Sequence, residues 1–277
     1  MRAPHTPIIA WAVTTGESGM RAQARGLAEA VADAVIEKTV GGRFAAPWAG
    51  GATADRLAPP WPDLLVTCGR RSAATSIAVR KASGGRTVTV HVQDPRWRAN
   101  AFDLIVAMEH DPIPAGPKVL KVATALHDLT PTNLAEAARV WRGRLAPLGR
   151  PLAGVMIGGT TQRQVFTLED GRRLLAGLER LRAEAGAALA ISPSRRTPPS
   201  IVALLRDAFK NDPRVLVWDL ESENPYRGIL ASADLLVVSG DSVSMVSEAL
   251  CTSRPVEVFD VRSPNHQAFL DRLVALG

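Results

Sequence analysis

The segment VVSGDSVSMVSEALCTSRPVEVF, residues 237–259, decides the fold of this chain. Apolar, largely β-branched runs lie at residues 235–238 and 255–259, and serines and other small residues fill the stretch between them. This pattern predicts a strand, a short helix that begins at Asp241 or Ser242, and a second strand. In a parallel sheet, a turn of this kind presents the N–H groups of the helix start to an anion. We therefore expect an anion site at the start of this helix.

The same alternation of strands and helices recurs along the chain. Residues 20–38 carry apolar side chains at helical spacing and predict one long helix. A passage rich in Gly and Pro at residues 41–62 predicts mostly loop, and Thr167 is placed to cap a helix. Other apolar runs predict strands at residues 7–14, 63–69, 87–93, 102–108, 119–124, 153–159, 188–192, 214–220 and 234–240.

Two prolines and a glycine interrupt the helical pattern at residues 146–151, and we place a domain boundary there. The N-terminal domain then comprises residues 1–148, including a linker helix, and the C-terminal domain comprises residues 149–277. Strands that alternate with helices predict a parallel sheet with helices on both faces. The predicted fold class is α/β, with two Rossmann-like, doubly wound parallel-sheet domains that face each other across a cleft.

Composition limits the functional classes. The chain has 277 residues, of which 46% are hydrophobic and 22% charged, so it is not a disordered protein. Its net charge of +6 favours phosphate-rich partners or anionic lipid surfaces. The arginines are scattered, however, without a basic tract interleaved with aromatics, and we expect no nucleic-acid partner. Cys68 and Cys251 are the only cysteines, too few for a disulfide framework or a cysteine-based metal cluster.

The charge and the N-terminal sequence also bear on location. The first apolar run ends at Thr14, which is too short for a membrane span. We expect a cytoplasmic protein whose positive charge favours the inner face of an anionic membrane.

Each predicted domain has a glycine turn after its first strand. The first is TTGESG at residues 14–19, and the second is GGTTQ at residues 158–162. Glycine permits close approach of the backbone to a phosphate, but neither turn matches a dinucleotide or phosphate-loop fingerprint. The alternative is that the glycines only make tight turns. The candidate phosphate-binding residues are Thr15, Gly16 and Gly19 in the first turn and Gly158, Gly159 and Thr160 in the second.

The segment quoted first contains further candidates for nucleotide binding. Asp241 and Ser242 are helix-cap types, and Ser244 offers a hydroxyl to a phosphate. The Glu248 carboxylate, one or two turns into the helix, is able to accept hydrogen bonds from both hydroxyls of a ribose. The alternative is a capping cluster followed by a solvated glutamate.

Candidates for acid–base chemistry follow strands of the first domain. Asp94 lies in HVQDPR, and His110 and Asp111 lie in AMEHDP. Either motif offers a side chain that could act as a general base. The alternative for Asp94 is a turn before Pro95, and for His110 a cap. The sequence has no evident DxD metal pair, so we expect no metal and no cofactor, and we expect arginines and helix starts to neutralise any bound phosphate.

Several motifs resemble a known family. They are HVQDPR, EHDPIPAGPKV, TALHDLTPTN, IGGTTQ, SPSRRTP, NPYRGILASADLLVVSGDSVSMVSEAL and RPVEVF, and together they resemble the bacterial members of the plant mitochondrial-fission protein family. The resemblance implies a glycosyltransferase type B-like fold whose second domain binds a nucleotide-diphosphate sugar. It also implies a ribose contact at Glu248, phosphate neutralisation by Arg195 and Arg196, and diphosphate contacts from the backbone of Ser242, Val243, Ser244 and Met245.

The sequence departs from the family pattern at two places. Where family members carry a glycine followed by His and Asn before Gln, this chain reads Gly19, Met20, Arg21, Ala22 and Gln23. The missing His puts transfer activity in question and leaves Gln23 in the acceptor or phosphate loop. Type B folds also add a closing helix beyond the segment that matches FLDRLVALG, so the C-terminal domain is expected to be shortened or to lack that helix.

Three functional hypotheses follow. The first is a glycosyltransferase that uses a nucleotide sugar and an acceptor near the first domain, at a membrane surface. The second is an epimerase or hydrolase of a nucleotide sugar, which would turn over without an acceptor. The third is a non-enzymatic adaptor for a protein partner, for which Trp48, Trp61 and Trp97 are candidate anchors.

Overall fold

The computed structural model describes residues 6–41, 55–161, 164–261 and 266–276. Contacts divide the chain into two compact units, residues 1–128 and residues 129–277, which we call the first and second units. In the described part of the chain, no helix combines the length and the apolar character that crossing a membrane requires.

The first unit is built on a six-stranded parallel sheet. Its strands are β1 (Ile9–Thr14), β2 (Ala34–Thr39), β3 (Leu64–Cys68), β4 (Val88–Val92), β5 (Leu104–Met108) and β6 (Val119–Val122), and its helices are α1 (Ser18–Val31) and α2 (Ala73–Ala82). The strand order is β2-β1-β3-β4-β5-β6.

Alternate residues of β1 pack on opposite faces of this sheet. Ala10 belongs to a buried cluster with Ala24 of α1, whereas Trp11 belongs to another with Val79 of α2. A strand buried on both faces is typical of a parallel sheet covered by helices on both sides. The predicted layering of the first domain is therefore confirmed.

Strand β2 corrects the predicted helix over residues 20–38. The helix ends at Val31, and residues 34–39 form an edge strand that pairs in parallel with β1. The segment AVIEKT contains the β-branched residues Val35, Ile36 and Thr39, whose side chains favour extended backbone. Pairing with β1 decides between two conformations that the apolar spacing alone permits.

The second unit is built on a five-stranded parallel sheet. Its strands are β7 (Leu152–Ile157), β8 (Ala188–Pro193), β9 (Val215–Val217), β10 (Leu235–Ser239) and β11 (Val256–Phe259), in the order β11-β10-β7-β8-β9. Its helices are α3 (Pro131–Leu145), α4 (Leu168–Ala185), α5 (Pro199–Ala208), α6 (Tyr226–Ser232), α7 (Val243–Leu250) and α8 (Gln267–Leu276).

Helices cover both faces of the second sheet as well. Met156 of β7 packs in one buried cluster with Val246 of α7, and Val155 packs in another with Leu174 of α4. The predicted cap of α4 is confirmed, because the Thr167 side chain accepts a hydrogen bond from the backbone N–H of Asp170.

Helix α3 packs within the second unit. The ring of Trp141 lies over Gly228 of α6, where a Cβ atom would come within 2.2 Å of the ring. The predicted boundary at residues 148 and 149 assigned this helix to the first domain. In the structure, contacts separate the units between Asp128 and Leu129.

The tryptophans proposed as anchors lie in different settings. Trp61 is partly buried and packs edge-on against Trp11, with ring centroids 6.0 Å apart. Trp97 is 40% exposed. Trp48 lies outside the described residues.

Candidate functional site

Three turns of the second unit are tied together by one buried carboxylate. They follow β7, β8 and β10, whose carboxyl ends lie at the same edge of a parallel sheet. We call the residues that join them the Asp241 cluster. Its members are Gly158, Gly159, Arg196, Ser239 and Asp241.

Asp241 accepts hydrogen bonds within this cluster through both carboxylate oxygens. Oδ2 accepts from the backbone N–H of Gly159 at 2.8 Å, and Oδ1 accepts from the Ser239 hydroxyl at 2.7 Å. The Ser239 oxygen in turn accepts from the backbone N–H of Gly158 at 2.7 Å. The Asp241 side chain is fully buried, so it braces the turns and does not contact solvent.

The two glycines of the cluster are required by close approach. A Cβ atom on Gly158 would lie 2.1 Å from Oδ2 of Asp241. On Gly159 it would lie 2.0 Å from the backbone oxygen of Arg196. Real Cβ contacts are never this short, so the turn after β7 admits only glycine at these positions.

The N–H groups of this turn already have acceptors. Gly158 and Gly159 donate to Ser239 and Asp241, and the Thr160 N–H donates to the backbone oxygen of Arg196 at 3.0 Å. The tight-turn alternative accounts for all three residues. Phosphate binding by their N–H groups stays a prediction, and it would require these hydrogen bonds to break.

Arg196 is the cation of the cluster, and its side chain is 40% exposed. One guanidinium nitrogen lies 3.4 Å from Oδ2 of Asp241, and another donates to the backbone oxygen of Gly159 at 3.2 Å. Arg195 beside it is exposed. Because Asp241 directly precedes the helix cap, the ion pair places the Arg196 guanidinium near the start of α7.

Helix α7 begins where the sequence predicts. Ser242 is its N-cap, and the Ser242 hydroxyl accepts from the backbone N–H of Met245 at 3.5 Å. Val243 and Met245 pack against the core, and all four residues from 242 to 245 are half-buried. Of the two residues predicted to begin this helix, Asp241 and Ser242, the structure has Ser242 as the cap.

Glu248, in the second turn of α7, is half-buried and accepts a short hydrogen bond at Oε2 from the hydroxyl of Tyr226. Burial, and then the charge of Glu248, raise the pKa of Tyr226 well above its usual value, so the phenol stays protonated and acts as the donor. Sequence reasoning did not single out Tyr226. The available signal was its being the only tyrosine in the chain.

The glycine turn of the first unit makes local bonds. The Thr15 hydroxyl donates to Glu17 at 2.6 Å. Gly16 has φ of +98°, and its N–H donates to the Thr14 hydroxyl at 3.1 Å. Gly19 lies in the first turn of α1, and Gln23 is buried on the same helix.

Met20 stands where the family pattern has histidine. Its sulfur packs over Gly69, which follows β3 with φ of +86°; a Cβ atom there would lie 2.5 Å from that sulfur. In this chain, an apolar thioether therefore occupies space at the carboxyl end of β3.

The acid–base candidates of the first unit sit in turns after their strands. Asp94 is buried, and its carboxylate accepts from the backbone N–H of Arg96 at 2.7 Å and pairs with the Arg96 guanidinium at 3.1 Å. Asp111 accepts from the backbone N–H of Met108 at 3.0 Å. His110 is half-buried. The hydrogen bonds of both carboxylates thus serve their own turns, as the turn alternative for Asp94 predicts.

His91 is a buried histidine that sequence reasoning did not single out. Its Nδ1 lies 2.8 Å from the Thr67 hydroxyl, and its ring packs against Phe102. Its Nε2 has no hydrogen-bond partner among the described residues. Burial lowers the pKa of His91 to about 4, so the ring is neutral at pH 7.

A search of the residues that the structure describes finds no group of three or more His, Cys, Asp or Glu side chains placed to hold a metal ion.

Comparison with known sequences assigns the family. A model described as mitochondrial fission ELM1 matches residues 18–277. The chain belongs to the mitochondrial fission ELM1 family. It is 28% identical to the ELM1 protein of Arabidopsis thaliana over 219 residues, which cover 71% of this chain and 51% of the plant protein. The chain thus spans about half the length of that relative.

The chain is also similar to a bacterial protein. An uncharacterized protein of Rickettsia prowazekii is 26% identical over 249 residues, covering 77% of this chain and 70% of that protein. The resemblance noted from the motifs is therefore confirmed.

A solved structure supports the fold class. The UDP-GlcNAc 2-epimerase of Neisseria meningitidis, determined with UDP-GlcNAc bound, superposes with a TM-score of 0.54. The match covers 95% of this chain and 85% of the other at 11% identity. With the two parallel sheets, this likeness confirms the predicted α/β fold of two glycosyltransferase type B-like domains.

Proposed function

We propose that the second unit binds a nucleotide-diphosphate sugar and that the chain is a metal-independent glycosyltransferase. The observation that carries this proposal is the Arg196–Asp241 pair, which places a solvent-accessible guanidinium beside the start of α7. Arginine and helix N–H groups are the usual partners of a diphosphate. The UDP-GlcNAc bound by a protein of the same fold adds support for a nucleotide sugar.

Glu248 supplies the ribose contact in this proposal. It lies on the same helix whose start would hold the diphosphate, and its carboxylate is half-buried. A carboxylate offers about four acceptor positions, and one of them is taken by Tyr226. A carboxylate that binds a ribose accepts hydrogen bonds from its two hydroxyls, and this is the contact that the proposal assigns to Glu248.

The transfer step forms a bond from the acceptor oxygen to the anomeric carbon as the bond from that carbon to the diphosphate breaks. The proton of the acceptor hydroxyl passes to a base, and Asp94, His110 and Asp111 remain the candidates. Arg195, Arg196 and the start of α7 stabilise the charge on the leaving diphosphate. The positive charge of the chain favours an acceptor at an anionic membrane surface.

A second candidate is an epimerase or hydrolase of a nucleotide sugar. The activity of the Neisseria protein favours it. So does the engagement of Asp94 and Asp111 in their own turns, because a base for an acceptor would have to leave those hydrogen bonds. This candidate differs from the first in needing no acceptor.

Nucleotide binding tests the proposal first. We expect one of UDP, GDP, ADP and CDP to raise the melting temperature, and calorimetry to give its dissociation constant. Glu248→Ala should weaken that nucleotide about tenfold or more, because a charged hydrogen-bond acceptor is lost. Glu179→Ala, an exposed change on α4 across the sheet from α7, is the matched control and should leave affinity unchanged.

Turnover then separates the candidates. Release of nucleoside diphosphate from a panel of sugar donors is measured with and without acceptor extracts, and with and without EDTA. Transfer predicts release that depends on acceptor and persists in EDTA. Loss or isomerisation of the sugar without acceptor indicates the second candidate. If no nucleotide binds at millimolar concentration, the proposal fails, and a non-enzymatic adaptor for a protein partner, the third hypothesis, takes its place.

A further inference from the structure

The contact between Tyr226 and Glu248 carries an inference that rests on the proposed function. We propose that Tyr226 is a positioning residue that holds the Glu248 carboxylate ready for a ribose, and that it thereby makes the site select ribonucleotides over 2′-deoxyribonucleotides. The Tyr226 hydroxyl donates to one carboxylate oxygen across two helices, 22 positions apart in the sequence. That bond fixes the carboxylate before any nucleotide arrives.

Tyr226 itself is held at its backbone. It is the first residue of α6, and its N–H donates to the side-chain oxygen of Asn224 at 3.0 Å. The backbone oxygen of Pro225 accepts from the N–H of Ile229 at 2.8 Å, which closes the first turn of the helix. The tyrosine ring packs against the buried core that contains Ile229 and Val246. The backbone and ring of Tyr226 are therefore fixed, and with them the position of its hydroxyl.

The position of α6 is set in turn by α3. Because the Trp141 ring lies directly over Gly228, the two helices approach more closely than any larger residue would permit. Glu248 sits on α7, which packs into the same core through Val246 and Ala249. Tyr226 thus links two helices whose separation is fixed by packing, and its hydroxyl reaches one place on α7.

Fixing Glu248 in advance changes binding in a specific way. A glutamate side chain that is free to rotate loses rotamer freedom when it closes on a ribose, and a pre-positioned one does not. That advantage is realised only by a ligand that uses the carboxylate. A nucleotide without the 2′-hydroxyl lacks one of the two donors, so its binding gains less from a pre-positioned carboxylate. Tyr226 therefore acts on ribose selectivity more than on affinity for nucleotides as a class.

The test compares two ligands and two proteins. The tightest of UDP, GDP, ADP and CDP and its 2′-deoxy counterpart are titrated by calorimetry into the wild-type chain and into Tyr226→Phe. The phenylalanine keeps the ring in the core and removes only the hydroxyl. We expect Tyr226→Phe to weaken the ribonucleotide about tenfold and the deoxynucleotide less than twofold, so that most of the selectivity disappears.

Each outcome has a distinct meaning. Equal weakening of both ligands, or no change, overturns the inference while the proposed function stands. Absence of binding to the wild-type chain overturns the proposed function and the inference with it. If Tyr226→Phe does not fold, Tyr226→Leu replaces it. Leucine is also apolar and lacks the hydroxyl while Glu248 is kept, so the same loss of ribose selectivity is expected; retained selectivity would contradict the inference.

Discussion

The strand-end turns of the two units are built differently. In the second unit, the turns after β7, β8 and β10 are joined through Asp241, whose partner Gly159 is 82 positions away in the sequence. In the first unit, the candidate carboxylates are satisfied locally, since Asp94 bonds within two residues and Asp111 within three. The Asp241 carboxylate thus joins several turns, whereas each candidate carboxylate of the first unit bonds within its own turn.

This difference teaches how to weigh candidate residues. A carboxylate bonded only within its own turn keeps its conformation with little help from the rest of the fold, and it can change without disturbing distant parts. A buried carboxylate that several turns share holds backbone groups and an arginine in fixed positions. The second unit thus holds the Arg196 guanidinium in a fixed place, which is the feature that the proposed diphosphate site uses.

The largest contrast is expected between the two glycine turns. Gly159→Ala forces a Cβ atom against the backbone oxygen of Arg196, and that backbone is held by the Asp241 cluster. We expect it to lower the free energy of unfolding by more than about 3 kcal/mol. Gly16→Ala meets no close atom, with Thr39 at 3.5 Å, and should cost about 1–2 kcal/mol from its positive φ alone.

Urea unfolding of both variants measures this contrast. Absence of folded protein for Gly159→Ala together with folded Gly16→Ala agrees with it. An equal or smaller cost for Gly159→Ala would mean that the turn after β7 relaxes, and that the braced structure is looser than the distances indicate.

As pH falls, the first unit should lose stability before the second unit does. The pKa of His91 is lowered from 6.5 to about 4 by burial, so the unfolded chain binds the proton first as pH falls. Above pH 6.5, His91 is neutral in both the folded and the unfolded chain, and the free energy of unfolding has its full value. Between pH 6.5 and pH 4 only the unfolded chain takes up the proton, and the free energy of unfolding falls by about 3 kcal/mol in total. In the second unit, hydrogen bonds from Ser222 lower the pKa of Asp219 to about 2. The stability that ionised Asp219 contributes is therefore lost only below about pH 4.

Hydrogen exchange resolves this difference within one molecule. Urea titrations at pH 7 and pH 4.5, each sampled with a labelling pulse at a fixed pH, report peptides of β4 and β7 separately. We expect the midpoint for β4 to fall more than that for β7. Equal shifts would contradict the assignment of the acid response to His91.

The sequence predicts most of the strands and helices but little of the bracing. Apolar periodicity is a local property, and it identifies ten of the eleven strands found within residues 6–41, 55–161, 164–261 and 266–276. Strand β2 is missed because AVIEKT continues the helical spacing of the preceding residues, and only its pairing with β1 makes it extended. Ser242 follows from cap chemistry, which is also local.

The site contacts depend on positions far apart in the sequence. An aspartate before a helix can be an exposed cap or a buried brace, and the residue type alone does not tell the two apart. The partner of Asp241, Gly159, lies in the turn after a different strand. The same holds for Tyr226 and Glu248, which lie on separate helices. No spacing rule joins such pairs, so the sequence predicts the helix start and its glutamate without predicting what holds them in place.

The smallest expected effect, and the most direct test of the bracing, is a matched pair of amide substitutions. Asp241→Asn replaces one acceptor oxygen by a donor amide. If the amide takes the place of Oδ1, Ser239 loses its acceptor; if it takes the place of Oδ2, Gly159 and Arg196 lose theirs. The expected cost is about 2 kcal/mol. Asp94→Asn keeps an acceptor for the Arg96 N–H and loses mainly an ion pair whose guanidinium is 48% exposed, so less than about 1 kcal/mol is expected.

Both variants are compared with the wild-type chain by urea unfolding and by nucleotide calorimetry. Asp241→Asn should also weaken nucleotide binding, because Arg196 loses the carboxylate that orients it beside α7. Asp94→Asn should leave nucleotide affinity unchanged, because the Asp94 carboxylate bonds to Arg96 in its own turn and is not part of the Asp241 cluster. If the two substitutions cost the same stability and Asp241→Asn binds nucleotide normally, then the buried carboxylate does not organise the site, and Arg196 must be oriented by its bond to the Gly159 oxygen alone.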